Sequence, residues 1–204
     1  MDLINASVSD FTSSIASKTS VPGGGGASAL VAAIGIALGD MVGEFTVGKK
    51  KYQAVEPEIK ELMAKAEDIR KALLQCINED AIAFEPLSKA YSLPKETENR
   101  DEIMEKCLKD AAAVPYKILE LACAAVDLQR DFADKGSVIM ISDAATGVAM
   151  LQGAIKGAAV NVKINTKSMK DRKYADDLDS KVEELVNKYT KLAQEIYQDV
   201  WDRL

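Results

Sequence analysis

Four consecutive glycines, Gly23 to Gly26, follow Pro22 and lead into the uniformly small and aliphatic stretch Ala29 to Gly39. A backbone without Cβ atoms takes positive φ freely and lets another group come close. The apolar stretch reads as a helix buried on most of its circumference. A glycine loop opening into a helix leaves unpaired N–H groups where an anionic or carbonyl group fits. A tight turn packed against a neighbour accounts for the same residues. The helix also carries Gly35, Gly39 and Gly43 at every fourth position. Each costs about 1 kcal/mol of helix stability against Ala. Three on one face therefore imply another backbone packed very closely, in the same chain or in a second subunit.

The remaining pattern is helical throughout. Leu3, Ile4, Val8, Phe11 and Ile15 predict a short amphipathic helix over 2–19. Residues 20–26 form the loop, and 27–47 the apolar helix. Pro57 suits the first position of a third helix reaching Tyr91, with Pro86 kinking or ending its regular part. Leu93-Pro94-Lys95 is a break. A fourth helix covers 97–133, kinked at Pro115 and closed by Gly136. Ser142 caps a fifth reaching Ile164, with Asp143 near its positive end and Gly147, Gly153 and Gly157 along it. A charged amphipathic helix over 170–204 completes the chain. No segment alternates like a strand or offers a hairpin turn. The expectation is one all-α domain spanning residues 1–204, a bundle of five or six helices.

Composition removes several kinds of chemistry. The chain has 204 residues and no histidine. A His-based triad, a His-ligated zinc and a His proton shuttle are excluded, so acid–base work falls to Asp, Glu, Lys, Tyr, Cys or water. A formal net charge of −6 and only 5% aromatics argue against a nucleic-acid partner. Cys76, Cys107 and Cys123 are widely spaced and odd in number, as reduced core thiols in a cytoplasmic protein are. Asp2 and the lack of early cations do not fit a signal peptide. Asp40 and Glu44 interrupt the apolar helix, which argues against a membrane span. Gly43, Gly48 and Lys49 follow phosphate-loop spacing, but Lys50 stands where Ser or Thr is needed and no strand precedes it.

Four features carry candidate chemistry: the glycine loop, Asp80, Ser142-Asp143, and Asn161 with Asn165 one turn on. Each has a plain alternative as a turn, a solvated acid, a helix cap or a structural amide. The cations Lys49, Lys50 and Lys51 suit a helix C-terminus. Read in order, the motifs resemble the cyclodeaminase/cyclohydrolase family. That family comprises the C-terminal domain of formiminotransferase-cyclodeaminase and the stand-alone methenyltetrahydrofolate cyclohydrolases. Pro22-Gly23-Gly24-Gly25, Gly48-Lys49, Asp80-Ala81 with Ala83-Phe84, Leu93-Pro94-Lys95, Val114-Pro115, Ser142-Asp143, Asn161-Val162 and Ile164-Asn165 carry the resemblance across the whole chain. Two positions depart from the family pattern. Gly136-Ser137 replaces a common Gly-Asn, and Gly26 stands where serine is common.

The resemblance implies a tetrahydrofolate derivative as substrate and no cofactor or metal beyond it. The expected activity is hydrolysis of 5,10-methenyltetrahydrofolate to 10-formyltetrahydrofolate. The alternative is a cyclodeaminase, which closes 5-formiminotetrahydrofolate to the methenyl compound and releases ammonia. A third possibility is a helical folate-binding protein without turnover. On this reading Asp143 is the base or cation stabiliser, with Asp80 second. Pro22, Gly23, Gly24, Gly25 and Ser142 bind substrate, and Asn161 and Asn165 orient the pterin or the water. Lys49 and Lys50 meet a polyglutamate tail. A homodimer is expected, with no nucleic-acid or membrane partner.

Overall fold

A computed structural model describes residues 2–204, and all the regular structure among them is helical. The helices are α1 (Val8–Ile15), α2 (Gly24–Glu44), α3 (Glu56–Tyr91), α4 (Arg100–Lys135), α5 (Ile141–Thr166) and α6 (Arg172–Trp201). Short 3-10 turns at Lys50–Tyr52 and Val138–Met140 precede α3 and α5. The expected all-α class is therefore observed. Helices α3, α2, α5 and α6 stand side by side in that order, and α4 packs against all four. Its buried face, including Ile118, Leu119, Val126 and Phe132, forms the centre of the main core.

Helices α2 and α5 run antiparallel with their backbones almost touching. A Cβ on Gly35 would lie 2.9 Å from the Gly147 carbonyl oxygen, and one on Gly147 would lie 2.5 Å from the Gly35 oxygen. Fully buried Gln129 of α4 joins the crossing by donating from Nε2 to the Gly35 carbonyl at 2.7 Å. Gly39 is filled by Gln129 and Phe132, and Gly43 by Met63 and Phe132. The glycine stripe thus serves packing inside its own chain. Only Gly35 meets another backbone; the other two make room for large side chains.

Because α4 covers one side of the layer only, the opposite side of α2 and α5 is bare. On α2 it presents Val31, Ile34, Met41 and Phe45, all exposed. On α5 it presents Thr146, Ala149, Gly153, Val160 and Ile164, with Val160 67% and Ile164 60% exposed. A Cβ on Gly153 would meet nothing. Helix α2 and the stretch 138–166 are long and apolar enough to cross a membrane by length and composition alone, and about half of each is buried within the bundle.

Several boundaries differ from the sequence reading. The first helix covers only Val8–Ile15, capped by the Ser7 side chain on the Asp10 N–H, while the Leu3 N–H is held by Asn78 Oδ1 at 2.9 Å. Helix α3 does reach Tyr91 as expected, and it stays helical through Pro86. Fully buried Leu87 and nearly buried Ala90 anchor its last turns, and packing of this kind outweighs the local cost of proline. Met140, not Ser142, precedes the first turn of α5.

The α2–α5 crossing gives a direct expectation. Gly147→Ala should cost about 1–3 kcal/mol by overpacking. Chemical denaturation should show this as a lower midpoint at constant slope; an unchanged midpoint would contradict the described packing.

Candidate active site

The antiparallel crossing sets the N-terminus of α2 beside the C-terminal part of α5. The glycines are not a loop before the helix but its first turn: Gly23 is the N-cap, and α2 begins at Gly24. Neighbouring side chains explain why. A Cβ on Gly24 would lie 2.8 Å from Asn161 Nδ2, and one on Gly25 would overlap the Asp80 carboxylate. Pro22 packs just outside, 3.6 Å from where a Gly26 Cβ would sit.

Asp80 reaches this turn from α3. Its Oδ2 accepts the Gly26 N–H at 3.0 Å, so a carboxylate from another helix caps α2 and meets the positive end of its dipole. Burial pushes the Asp80 pKa up, and the single backbone hydrogen bond offsets this only in part, leaving it above the ordinary value. The N–H groups of Gly24 and Gly25 lie in the same turn, where the helix itself offers no acceptor.

Opposite Asp80 stand the two asparagines of α5. Asn161 Nδ2 donates to the Gly157 carbonyl at 2.8 Å. Asn165 Nδ2 donates to the Asn161 carbonyl at 2.9 Å and to the Ala111 carbonyl at 3.2 Å. The second bond explains Pro115. Proline has no N–H, so the Ala111 carbonyl one turn earlier loses its helical donor, and Asn165 supplies the replacement. With both amide nitrogens committed, each Oδ1 is left as an acceptor.

The C-terminus of α5 is itself held. Asp179 of α6 accepts from Thr166 Oγ1 and Lys163 Nζ, each at 2.6 Å, while Arg172 donates to the Thr166 carbonyl at 2.8 Å. Burial opposes the Asp179 charge, but Lys163 and Thr166 outweigh it and its pKa is lowered.

These groups enclose a cavity of about 200 Å³, lined by Gly23, Gly24, Gly25, Asp80, Asn161 and Asn165, with Ser20, Val21, Phe84, Ala111 and Ile164 completing the wall. The glycines, Asp80 and the asparagines named from sequence thus converge on one cavity. Lys49, Lys50, Ser142 and Asp143 do not join them within this chain. Asp143 sits in the first turn of α5, about 27 Å along the axis from Asn161 at 1.5 Å per residue. Lys49 and Lys50 follow the far end of α2, a helix about 30 Å long, and line a separate hollow with Gly48, Gln53 and Glu56. That end is tied to the start of α5: Ser137 N–H donates to Thr46 Oγ1 at 2.8 Å and Val138 N–H to the Tyr52 hydroxyl at 3.1 Å.

The sequence did not single out Ser20, Val21 or Ala111, and it offered Phe84 and Ile164 only as motif residues of the family resemblance, not as cavity wall. The spacing Asp80 to Phe84, one helical turn, was the available signal for Phe84. The three cysteines are buried, and burial pushes Cys76 up to about 11 and Cys123 up to about 12, so these two are poor nucleophiles.

A carboxylate of raised pKa, two amide oxygens and a helix N-terminus suit a flat, polar, partly cationic ring system. The carboxylate can also carry a proton between two heteroatoms bound to one carbon.

Known proteins share this architecture. The profile of the formiminotransferase-cyclodeaminase family matches residues 7–184. A methenyltetrahydrofolate cyclohydrolase from Methylorubrum extorquens is 36% identical over 200 residues, covering 96% of each chain. A formimidoyltransferase-cyclodeaminase from Dictyostelium discoideum is 34% identical over 99% of this chain, which spans only 37% of that longer protein. The solved structure of a formiminotetrahydrofolate cyclodeaminase from Thermotoga maritima superposes with a TM-score of 0.84 at 27% identity, covering 96% of this chain and 98% of that one. On sequence and fold together, the chain belongs to the formiminotransferase-cyclodeaminase family.

Proposed function

We propose that the chain is a folate one-carbon enzyme that hydrolyses 5,10-methenyltetrahydrofolate to 10-formyltetrahydrofolate, with Asp80 as the proton-transferring group. The observation that carries this reading is the meeting of Asp80 with the first turn of α2 and with Asn161 and Asn165. Similarity to the Methylorubrum cyclohydrolase along nearly its whole length supports the hydrolytic form. The Thermotoga and Dictyostelium relatives favour a second reading at the same site, the cyclodeaminase reaction.

One proton relay serves both. In the hydrolysis, ionised Asp80 takes a proton from water as its oxygen bonds to the methenyl carbon, between N5 and N10. The neutral tetrahedral carbinol then releases N5, which receives the proton held on Asp80; as the C=O bond forms, the hydroxyl proton passes to the regenerated carboxylate and on to solvent, and the formyl group stays on N10. In the deaminase direction N10 attacks the carbon of the protonated formimino group, and the same carboxylate carries the N10 proton to the amino group, which departs as ammonia and leaves the methenyl cation. The methenyl carbon is already cationic, so the reaction as written draws on no further cofactor. Half-buried Asp80 stabilises that cation electrostatically, and the asparagine oxygens orient pterin N–H groups or the attacking water.

The bare apolar face of α2 and α5 supports a homodimer. Asp143 and Asn161 lie almost evenly about Gly153, whose surface is open. A two-fold axis in the contact plane, crossing the helices at mid-length, sets each helix antiparallel to its copy. The Ser142-Asp143 end of one protomer then approaches the Asn161 end of the other. In this assembly Asp143 stabilises the substrate cation from across the interface.

Three outcomes follow. Asp80→Asn should lower kcat by about 10²–10⁴-fold. Its melting temperature at pH 7 should not fall. A carboxyl whose folded pKa is raised binds its proton more tightly in the folded state, so ionisation removes stability as pH rises from the unfolded towards the folded pKa. The amide removes that cost and still accepts the Gly26 N–H. A large loss of stability with retained turnover would contradict the role.

The acid limb of the wild-type rate profile should lie above the usual carboxylate value of about 3.9, because activity needs ionised Asp80. A limb at or below that value would count against it.

Asp80→Asn and Asp143→Asn, each nearly inactive alone, should recover up to about a quarter of wild-type activity when unfolded and refolded together, through mixed dimers with one intact site. A mixture no more active than its parents would remove the shared site.

A further inference from the structure

A second hollow of about 410 Å³ opens beside the Asp80 cavity and shares Ser20 and Val21 with it; its other wall is Ala81, Ile82, Glu85, Ser88 and Lys89 of α3. The Asp80 cavity, at about 200 Å³, is too small for a whole folate, since sites for ligands of that size run to about 300–1,000 Å³. It holds a bicyclic ring and leaves the rest of the molecule to lie elsewhere.

Two features of the groove have no role in the protein's own packing. Ile82 is 69% exposed, a large apolar side chain two residues beyond Asp80 on α3. Pro86 also lies within α3 and offers no N–H to the Ile82 carbonyl, four residues earlier. The same substitution in α4 shows what such a carbonyl can do: Pro115 frees the Ala111 oxygen, and Asn165 Nδ2 occupies it at 3.2 Å. No side chain among the described residues donates to the Ile82 oxygen. Farther along, Lys89 is tied only to Glu85 at 2.7 Å, in an exposed pair that holds the ammonium weakly. Helical side chains lean towards the N-terminus, so Lys89 points back over the groove.

We propose that this groove binds the p-aminobenzoylglutamate arm of the substrate. The benzoyl ring lies against Ile82 and Val21. The Ile82 carbonyl accepts the N–H of the benzoyl–glutamate amide, and Lys89 with Ser88 meets the glutamate carboxylate. The arm is thereby read within one protomer, on α3, and not by Lys49 and Lys50 at the far end of α2. The assignment rests on the folate reading of the Asp80 site.

The test compares 5,10-methenyltetrahydrofolate with 5,10-methenyltetrahydropteroate, which has the benzoyl ring but neither the amide N–H nor the glutamate. Wild type should show the lower KM for the folate. Lys89→Gln and Pro86→Ala should each narrow the ratio of the two KM values about three- to tenfold, the cost of one charge-assisted or one amide hydrogen bond. Pro86→Ala should do so while raising the melting temperature, because the helical N–H is restored. Unchanged KM ratios in both variants would overturn the assignment, as would a ratio that responds to Lys49→Ala/Lys50→Ala and not to Lys89→Gln. If wild type turns over neither compound, the hydrolytic form of the folate reading fails and the same KM ratios are read with the 5-formimino derivatives of the folate and the pteroate; turnover of none of the four removes the folate reading, and this one with it.

Discussion

The contact between the backbones of α2 and α5 at Gly35 and Gly147 governs the rest of the molecule. Side chains of any size at these positions would hold the helices apart by the width of a methyl group or more. At the observed spacing, α2 delivers its first turn to the last turns of α5, and Gln129 locks the crossing from α4. The site follows in part: Gly24 lies against Asn161 because these two helices meet so closely farther down, while α3, packed on the other side of α2, brings Asp80 against Gly25. Catalytic geometry here depends on packing well away from the chemistry.

Prolines inside helices serve the same economy. Each removes one backbone donor and so exposes one carbonyl. In α4 that carbonyl fixes Asn165 in place. The side chain of a residue lining the candidate site thereby gains a fixed anchor on a helix, without a loop. The anchors on Asn161 and Asn165 both use amide nitrogens, and the acceptor ends are what the cavity keeps.

Much of this was legible in the sequence. Helical periodicity and the absence of alternation gave the all-α class, and Asp80, the glycines and the asparagines stood out as a group. What was not legible follows from direction and distance. Glycines at every fourth residue imply close packing but not against what; only the fold shows Gly35 on Gly147 and Gly39 on Gln129. Asp143 and Asn161 share a helix, and its length separates them by about 27 Å. Lys49 is likewise carried to the far end by α2. The end of α3 at Tyr91 was legible, but not what keeps the helix regular past Pro86, since the buried anchors Leu87 and Ala90 are a matter of packing. The role of Pro115 depended on Asn165, fifty residues later, meeting one particular carbonyl.

The most direct measurement of the central claim is the absorbance of the methenyl chromophore with purified protein. 5,10-Methenyltetrahydrofolate is supplied in one cuvette and 5-formiminotetrahydrofolate in another. The account expects the chromophore to be lost in the first faster than in buffer, as water opens the ring. Appearance of the chromophore in the second, with ammonia released, would identify the deaminase direction at the same carbon. No change above buffer in either cuvette would contradict a catalytic role for the Asp80 cavity.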